Sequence, residues 1–191
     1  MTVLSPPQPP IIRKALDLAS DWCAGHTIDE APALTHAIKV AATIGEHIPD
    51  APAELIAAAL LHDAPYFAPA DVHLDAVLTT RLGFTVTRTV RAMEREHTTM
   101  DTSTEPHIDP TDLWALWAGV ADKIVAISSI LRRASRAEDE LAFWAQRSAF
   151  VSRIGYFRAF CELACPHVPS TMRNELDHVV TRAERITGAY R

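Results

Sequence analysis

Cysteine is scarce: the 191 residues hold three, Cys23, Cys161 and Cys165, and none is spaced Cys-x-x-Cys. So small and odd a set excludes a disulfide framework. Cys161 and Cys165, one helical turn apart, read as core thiols rather than zinc ligands. No uninterrupted 18-residue apolar run occurs, and no basic segment leads into an apolar one near the start, so neither a spanning helix nor a secretory signal is predicted. Positive charge is also in deficit. A formal net charge of -6 argues against DNA, RNA or an anionic membrane as partner. It leaves room for a small phosphorylated ligand held by a metal or a few local cations. Strand-like alternation and internal repeats are missing as well. These absences predict a soluble, all-α protein of a reducing cytoplasm, and they leave homo-oligomerisation open.

What is present is apolar periodicity. With 48% hydrophobic and 22% charged residues, the chain has material for one globular domain with an ample core. Residues 1–10 carry four prolines and predict a flexible leader, with a single domain over 11–191. Helical spacing begins at Ile12, Ala15, Leu16, Ala19 and Trp22, stops near Gly25-His26, and resumes after a short polar loop with Pro32 in the first turn. A third helix is expected over Glu54–Ala64 and a fourth over Val72–Arg81, capped by Asp71 and ended by Gly83. The fifth runs from about Thr85 to Glu96. Thr98–Ser103 is expected to be a loop, because Thr, Asp and Ser side chains compete for their own backbone. A long sixth helix follows Asp109-Pro110 to about Arg133. A seventh, rich in aromatics from Phe143 to Phe160, reaches about Ala164, and the last follows Ser170 to Ile186. The aromatic run reads as core.

Four residues interrupt or border these apolar faces: His36, His62, Asp63 and Asp122. Burying ionisable groups is costly unless something pairs with them, and a metal ion is one such partner. Metal sites in helical bundles are built from side chains on facing helices. Two imidazoles and two carboxylates suit Mn, Fe or Zn better than Ca or Mg. Such an ion can acidify water and clamp a phosphoryl oxygen, as phosphoester hydrolysis requires.

In order along the chain, Pro32-Ala-Leu-Thr-His36, Ala57-Ala-Ala-Leu-Leu-His62-Asp63, Leu82-Gly83-Phe84 and Ala121-Asp122-Lys123 resemble the HD-domain metal phosphohydrolases. They are most similar to the RelA/SpoT-type branch and its small alarmone hydrolases. The match spans about residues 11–134, with further C-terminal helices over about 136–190. The resemblance implies an HD-domain bundle of about eight helices holding one divalent ion, manganese before iron or zinc. His36, His62, Asp63 and Asp122 would be its ligands. It also implies hydrolysis of a nucleotide or related small phosphate compound; in the branch itself this is removal of a 3′-diphosphate from guanosine tetra- or pentaphosphate. The chain departs from the branch at the Glu-Asp pair that helps position the water, where it has Tyr66 and Phe67. It departs again at an Asn four residues beyond the final Asp, where it has Ala126, and it lacks the Arg-x-Ser-Gly stretch before His36. An altered substrate is one implication. A catalytically degenerate nucleotide-binding or regulatory protein is the alternative.

No catalytic side chain is assigned beyond water activated by the ion. Candidate substrate contacts are Lys123, as a point charge for phosphate, Tyr66, as a stacking or donating ring, and His26, at the end of the first helix. Each has a plainer reading: a solvated lysine, a core-capping tyrosine, a histidine on the helix dipole. His73, His97 and His107 would be needed for a second metal. His97 lies in a polar segment without ligand-like pairing, so these three are expected to stand apart from the site.

Overall fold

The computed structural model describes Leu4, residues 7–103 and residues 105–190. Among them, eight helices of eight residues or more carry the architecture. They are α1 (Pro10–Trp22), α2 (Ala33–His47), α3 (Ala53–Leu60), α5 (Leu74–Leu82), α6 (Phe84–Thr102), α7 (Leu113–Ala134), α10 (Ile154–Ala164) and α11 (Ser170–Thr187). Three short helices join them: α4 (Ala64–Phe67), α8 (Glu140–Ala145) and α9 (Ser148–Ser152). The fold is all-α, as composition and periodicity predict. Part of the expected proline-rich leader lies outside the described residues; Leu4 within it packs, partly buried, against the core.

The 22-residue α7 is the axis of the bundle. It packs against α2, α3, α6, α10 and α11. By length and composition it is apolar enough to cross a membrane, but most of it is buried inside the protein. The carboxylate of Asp112 accepts from Ala115 N at 3.3 Å and caps its start. Ala115, Leu116, Ala118, Val120, Ala121, Ile124 and Ile127 bury almost all their surface along it. Asp122 and Lys123 sit in the middle of that apolar stretch.

Five features differ from those predicted, and two of the differences move side chains of the site described below. The expected helix over Glu54–Ala64 stops at Leu60. A proline at 65 in a continued helix would clash with the Leu61 carbonyl. Instead Leu61 N turns back to Ala58 O at 3.1 Å and Ala64 N to Leu61 O at 2.9 Å. His62 and Asp63 therefore stand on a tight turn, not on a helix. The expected loop at Thr98–Ser103 is instead the end of α6. Its threonine hydroxyls bond within the helix, Thr98 to Glu94 O, Thr99 to Arg95 O and Thr102 to Thr98 O, each at 2.9 Å. The hydroxyls are satisfied within the helix, so the expected competition with the backbone does not end it there. The polar loop after α1 contains a minimal antiparallel ribbon, β1 (Thr27–Ile28) and β2 (Ala31–Pro32). It turns on Asp29 and Glu30 at φ 45° and 64°. The expected seventh helix is broken into α8, α9 and α10, and Arg147 at the first break reaches Asp29 Oδ1 and Glu30 Oε1 at 3.1 Å. At the start of α5, His73 takes the cap position in place of Asp71.

Gly83 joins α5 to α6 and so sets where α6 points. Its φ of 94° and ψ of 162° lie in a region open essentially to glycine alone. No atom lies within 4 Å of where a Cβ would sit, so the constraint is the backbone itself. Gly83→Ala should cost about 1–3 kcal/mol in urea unfolding; an unchanged midpoint would contradict this reading of the junction.

Candidate metal centre

Three elements deliver the four candidate side chains. α2 begins directly after the β-ribbon, where Ala33 N bonds His26 O at 3.0 Å, and presents His36 from its first turn. The turn after α3 presents His62 and Asp63. α7 presents Asp122 from its centre. The structure brings these four together. One donor atom each of His36, His62 and Asp122 lies within 4.8 Å of the others. His36 Nε2 is 3.0 Å from Asp122 Oδ1. His62 Nε2 is 3.6 Å from the same oxygen and 3.0 Å from Asp63 Oδ2.

His62 is 0% exposed, and its two nitrogens have different surroundings. Nδ1 donates to Ala59 O at 2.8 Å, which fixes the tautomer and leaves the lone pair of the neutral ring on Nε2. That Nε2 is buried without a well-directed hydrogen bond. A buried imidazole nitrogen so held, facing a second imidazole and two carboxylates, has the donor chemistry of a transition-metal ligand. His36, His62 and Asp122 could hold a divalent ion, with Asp63 beside them.

Electrostatics match that geometry. Burial alone would push the Asp122 carboxyl up, but hydrogen bonds from His36 and His97, the nearby His62 ring and the charge of Lys123 hold it well below the usual range. Burial favours neutral His62, yet the adjacent Asp63 and Asp122 carboxylates reverse this and raise its affinity for a proton well above normal. Asp63 is lowered: burial opposes the shift, and the charge of the adjacent His62 outweighs it.

His97 is a member of the cluster that the polar sequence around it concealed. Carried inward on the extended α6, its Nε2 lies 3.1 Å from Asp122 Oδ2 and its Nδ1 3.9 Å from Asp63 Oδ1. The expectation that it stands apart is therefore corrected. The only signal was its position two turns beyond buried Val90, had the helix been continued. His73 and His107 are exposed, as expected of bystanders.

The candidate substrate contacts separate. Lys123 is 1% exposed; its ammonium meets Glu96 Oε2 at 2.7 Å and lies 4.7 Å over the Phe160 ring. An ammonium paired this way in the core offers no free charge to a phosphate, so the expected point-charge contact is replaced by an internal ion pair. Tyr66 is 51% exposed and stands at the rim, its ring 6.2 Å from that of His97. His26 is exposed and stacks on Phe67 at 4.7 Å. Cys161 and Cys165 carry free thiols 3.5 Å apart; burial, then the neighbouring thiol, pushes Cys161 up to about 12, in keeping with an inert core position.

No protein-family model matches the chain, and no curated protein sequence does. Among solved structures it is similar to a metazoan ortholog of SpoT that hydrolyses ppGpp and plays a role in starvation responses. The TM-score is 0.60 at 15% identity, over 93% of this chain and 98% of that one. The shared property is the fold, an all-α helical bundle.

The internal ion pair gives a direct test of the packing around the centre. Lys123→Met leaves Glu96 buried and uncompensated, which should cost about 3–5 kcal/mol in denaturant unfolding. Adding Glu96→Gln should return much of that loss. Equal stability of the single and double variants would contradict the pairing.

Proposed function

We propose that this chain is a metal-dependent phosphohydrolase acting on a nucleotide or related small phosphate compound. His36, His62, Asp63 and Asp122 would hold one divalent ion, with manganese first and iron or zinc next. The observation that carries the proposal is His62. Among the described residues its Nε2 is buried with no well-directed hydrogen bond, although Asp63 Oδ2 lies 3.0 Å away, while its other nitrogen is anchored on Ala59 O. The likeness of fold to a ppGpp hydrolase supports the reaction class. When bound, a divalent ion supplies Lewis acidity toward a phosphoryl oxygen and acidifies water.

The chain's own residues set the rest. His36 and His62 arrive from separate elements and orient Asp122 Oδ1 between them. The apolar walls of α3 and α7 exclude water from behind the cluster. Tyr66, half exposed at the rim, would stack on a base or donate to a phosphate, and the His26–Phe67 stack would extend the same aromatic rim. With Tyr66 and Phe67 where the resembled branch has two carboxylates, an altered substrate fits this rim better than guanosine tetraphosphate. The same two residues favour the second reading, a nucleotide-binding or regulatory protein without turnover.

Metal analysis of the purified protein, followed by a phosphate-release screen over nucleotides with added Mn²⁺, decides between them. One ion per chain with turnover, both lost in Asp122→Ala, is the expected result. Metal with a nucleotide-dependent rise in thermal stability but no turnover would favour the regulatory reading. Failure to load any divalent ion would overturn both.

Proton linkage adds a further expectation. The carboxylates hold His62 protonated to above its ordinary range, and a ligand imidazole must be neutral, so loading expels protons. Mn²⁺ affinity should therefore rise from pH 6 to pH 8, and calorimetry in buffers of different ionisation enthalpy should register proton release. Affinity independent of pH would contradict the assignment of His62.

A further inference from the structure

Two adjacent pairs of residues cross at the centre of the bundle. α6 presents Glu96 and His97; α7 presents Asp122 and Lys123. Glu96 Oε2 takes Lys123 Nζ at 2.7 Å, and His97 Nε2 lies 3.1 Å from Asp122 Oδ2. Tyr156 OH donates to the remaining Glu96 oxygen, Oε1, at 2.7 Å. The inner pair is thereby closed on itself, and the outer pair points at the metal centre.

The two oxygens of Asp122 are consequently committed to different neighbours. Oδ1 faces His36 Nε2 at 3.0 Å and His62 Nε2 at 3.6 Å. Oδ2 faces His97, with Lys123 Nζ farther off at 3.6 Å. We propose that His97 is a positioning residue of the metal centre, whose Nε2–H holds Oδ2 of Asp122 so that only Oδ1 is presented toward His36 and His62. This inference rests on the metal reading given above.

The geometry favours positioning over direct ligation. The mutually close donor set comprises His36, His62 and Asp122, and His97 approaches from the far oxygen of that carboxylate. Its Nδ1 stands 3.9 Å from Asp63 Oδ1, beyond hydrogen-bond reach, so its one directed contact is with Asp122. At 9% exposure it closes the rim side of the cluster beneath Tyr66. A carboxylate free at both oxygens can rotate to chelate an ion and consume an additional position. A donor fixed on one oxygen prevents this and leaves that position to a phosphoryl ligand. Outer partners of this kind typically tune metal affinity by about 10–100-fold.

The test uses Co²⁺ alone as probe, on the full chain and on His97→Ala and His97→Gln, with circular dichroism confirming that each variant folds. The Gln amide retains a donor of similar reach but is a poor imidazole substitute as a ligand. His97→Ala should bind Co²⁺ about 10–100-fold more weakly in chelator competition. Its visible Co²⁺ absorption should weaken as Asp122 takes up a second contact. His97→Gln should restore affinity to within a few-fold, about the scatter of such measurements, along with the wild-type spectrum. Wild-type affinity and spectrum in His97→Ala would overturn the proposal while leaving the metal centre standing. Equal loss in both variants would overturn it in favour of direct ligation by the imidazole. A wild-type chain that takes up no Co²⁺ would remove the metal reading and this inference together.

Discussion

A carboxylate buried in the middle of an apolar helix is the constraint on which the structure depends. Asp122 is 7% exposed on the axis of the bundle, where an unpaired charge would cost several kcal/mol. Each element that packs against α7 near that point contributes a group that reduces the cost: His36 from α2, His62 from the turn after α3, His97 from α6. Their hydrogen bonds and the Lys123 charge more than reverse the effect of burial on Asp122. The arrangement of helices around α7 can be read as the arrangement of donors around one carboxylate.

The second buried network divides the labour. Lys123 is next to Asp122 in sequence but turns to Glu96, and Glu96 is held in turn by Tyr156. The α6–α7 crossing is thus fixed by a closed ion pair that has no free valence for a ligand. The neighbouring histidines retain theirs. The proposed chemistry and the architecture occupy consecutive residues on the same two helices, and burial separates them: Glu96 and Lys123 are sealed beneath the cluster, while Asp63, His97 and Tyr66 grade outward to solvent.

The sequence made the four clustered side chains legible because each breaks or borders an apolar pattern. A His-Asp pair closing an alanine-leucine run and an Asp-Lys pair inside a 22-residue apolar helix both stand out against hydrophobic neighbours. His97 did not, because its surroundings are polar and the threonines after it read as loop formers. Their hydroxyls bond carbonyls four residues back, a choice that depends on the packing of α6 rather than on composition. The break at Arg147 was hidden for a related reason. Its guanidinium is drawn to Asp29 and Glu30 more than a hundred residues away, and local periodicity carries no trace of that contact. The two-residue strands that display those acids are too short for any alternation to show. Lys123 was visible as a residue of interest but not as a buried one, since the partner that takes it inside, Glu96, lies on a helix whose register was set only by the fold.

The central claim is that these side chains gather to hold one divalent ion. The most direct measurement is an anomalous difference map from crystals of the protein grown with Mn²⁺ and collected at the manganese edge. The account predicts one strong peak per chain, in direct coordination contact with His36 Nε2, His62 Nε2 and Asp122 Oδ1. A map without a peak at that position, from crystals in which Asp122 remains hydrogen-bonded to His36 and His97, would contradict it.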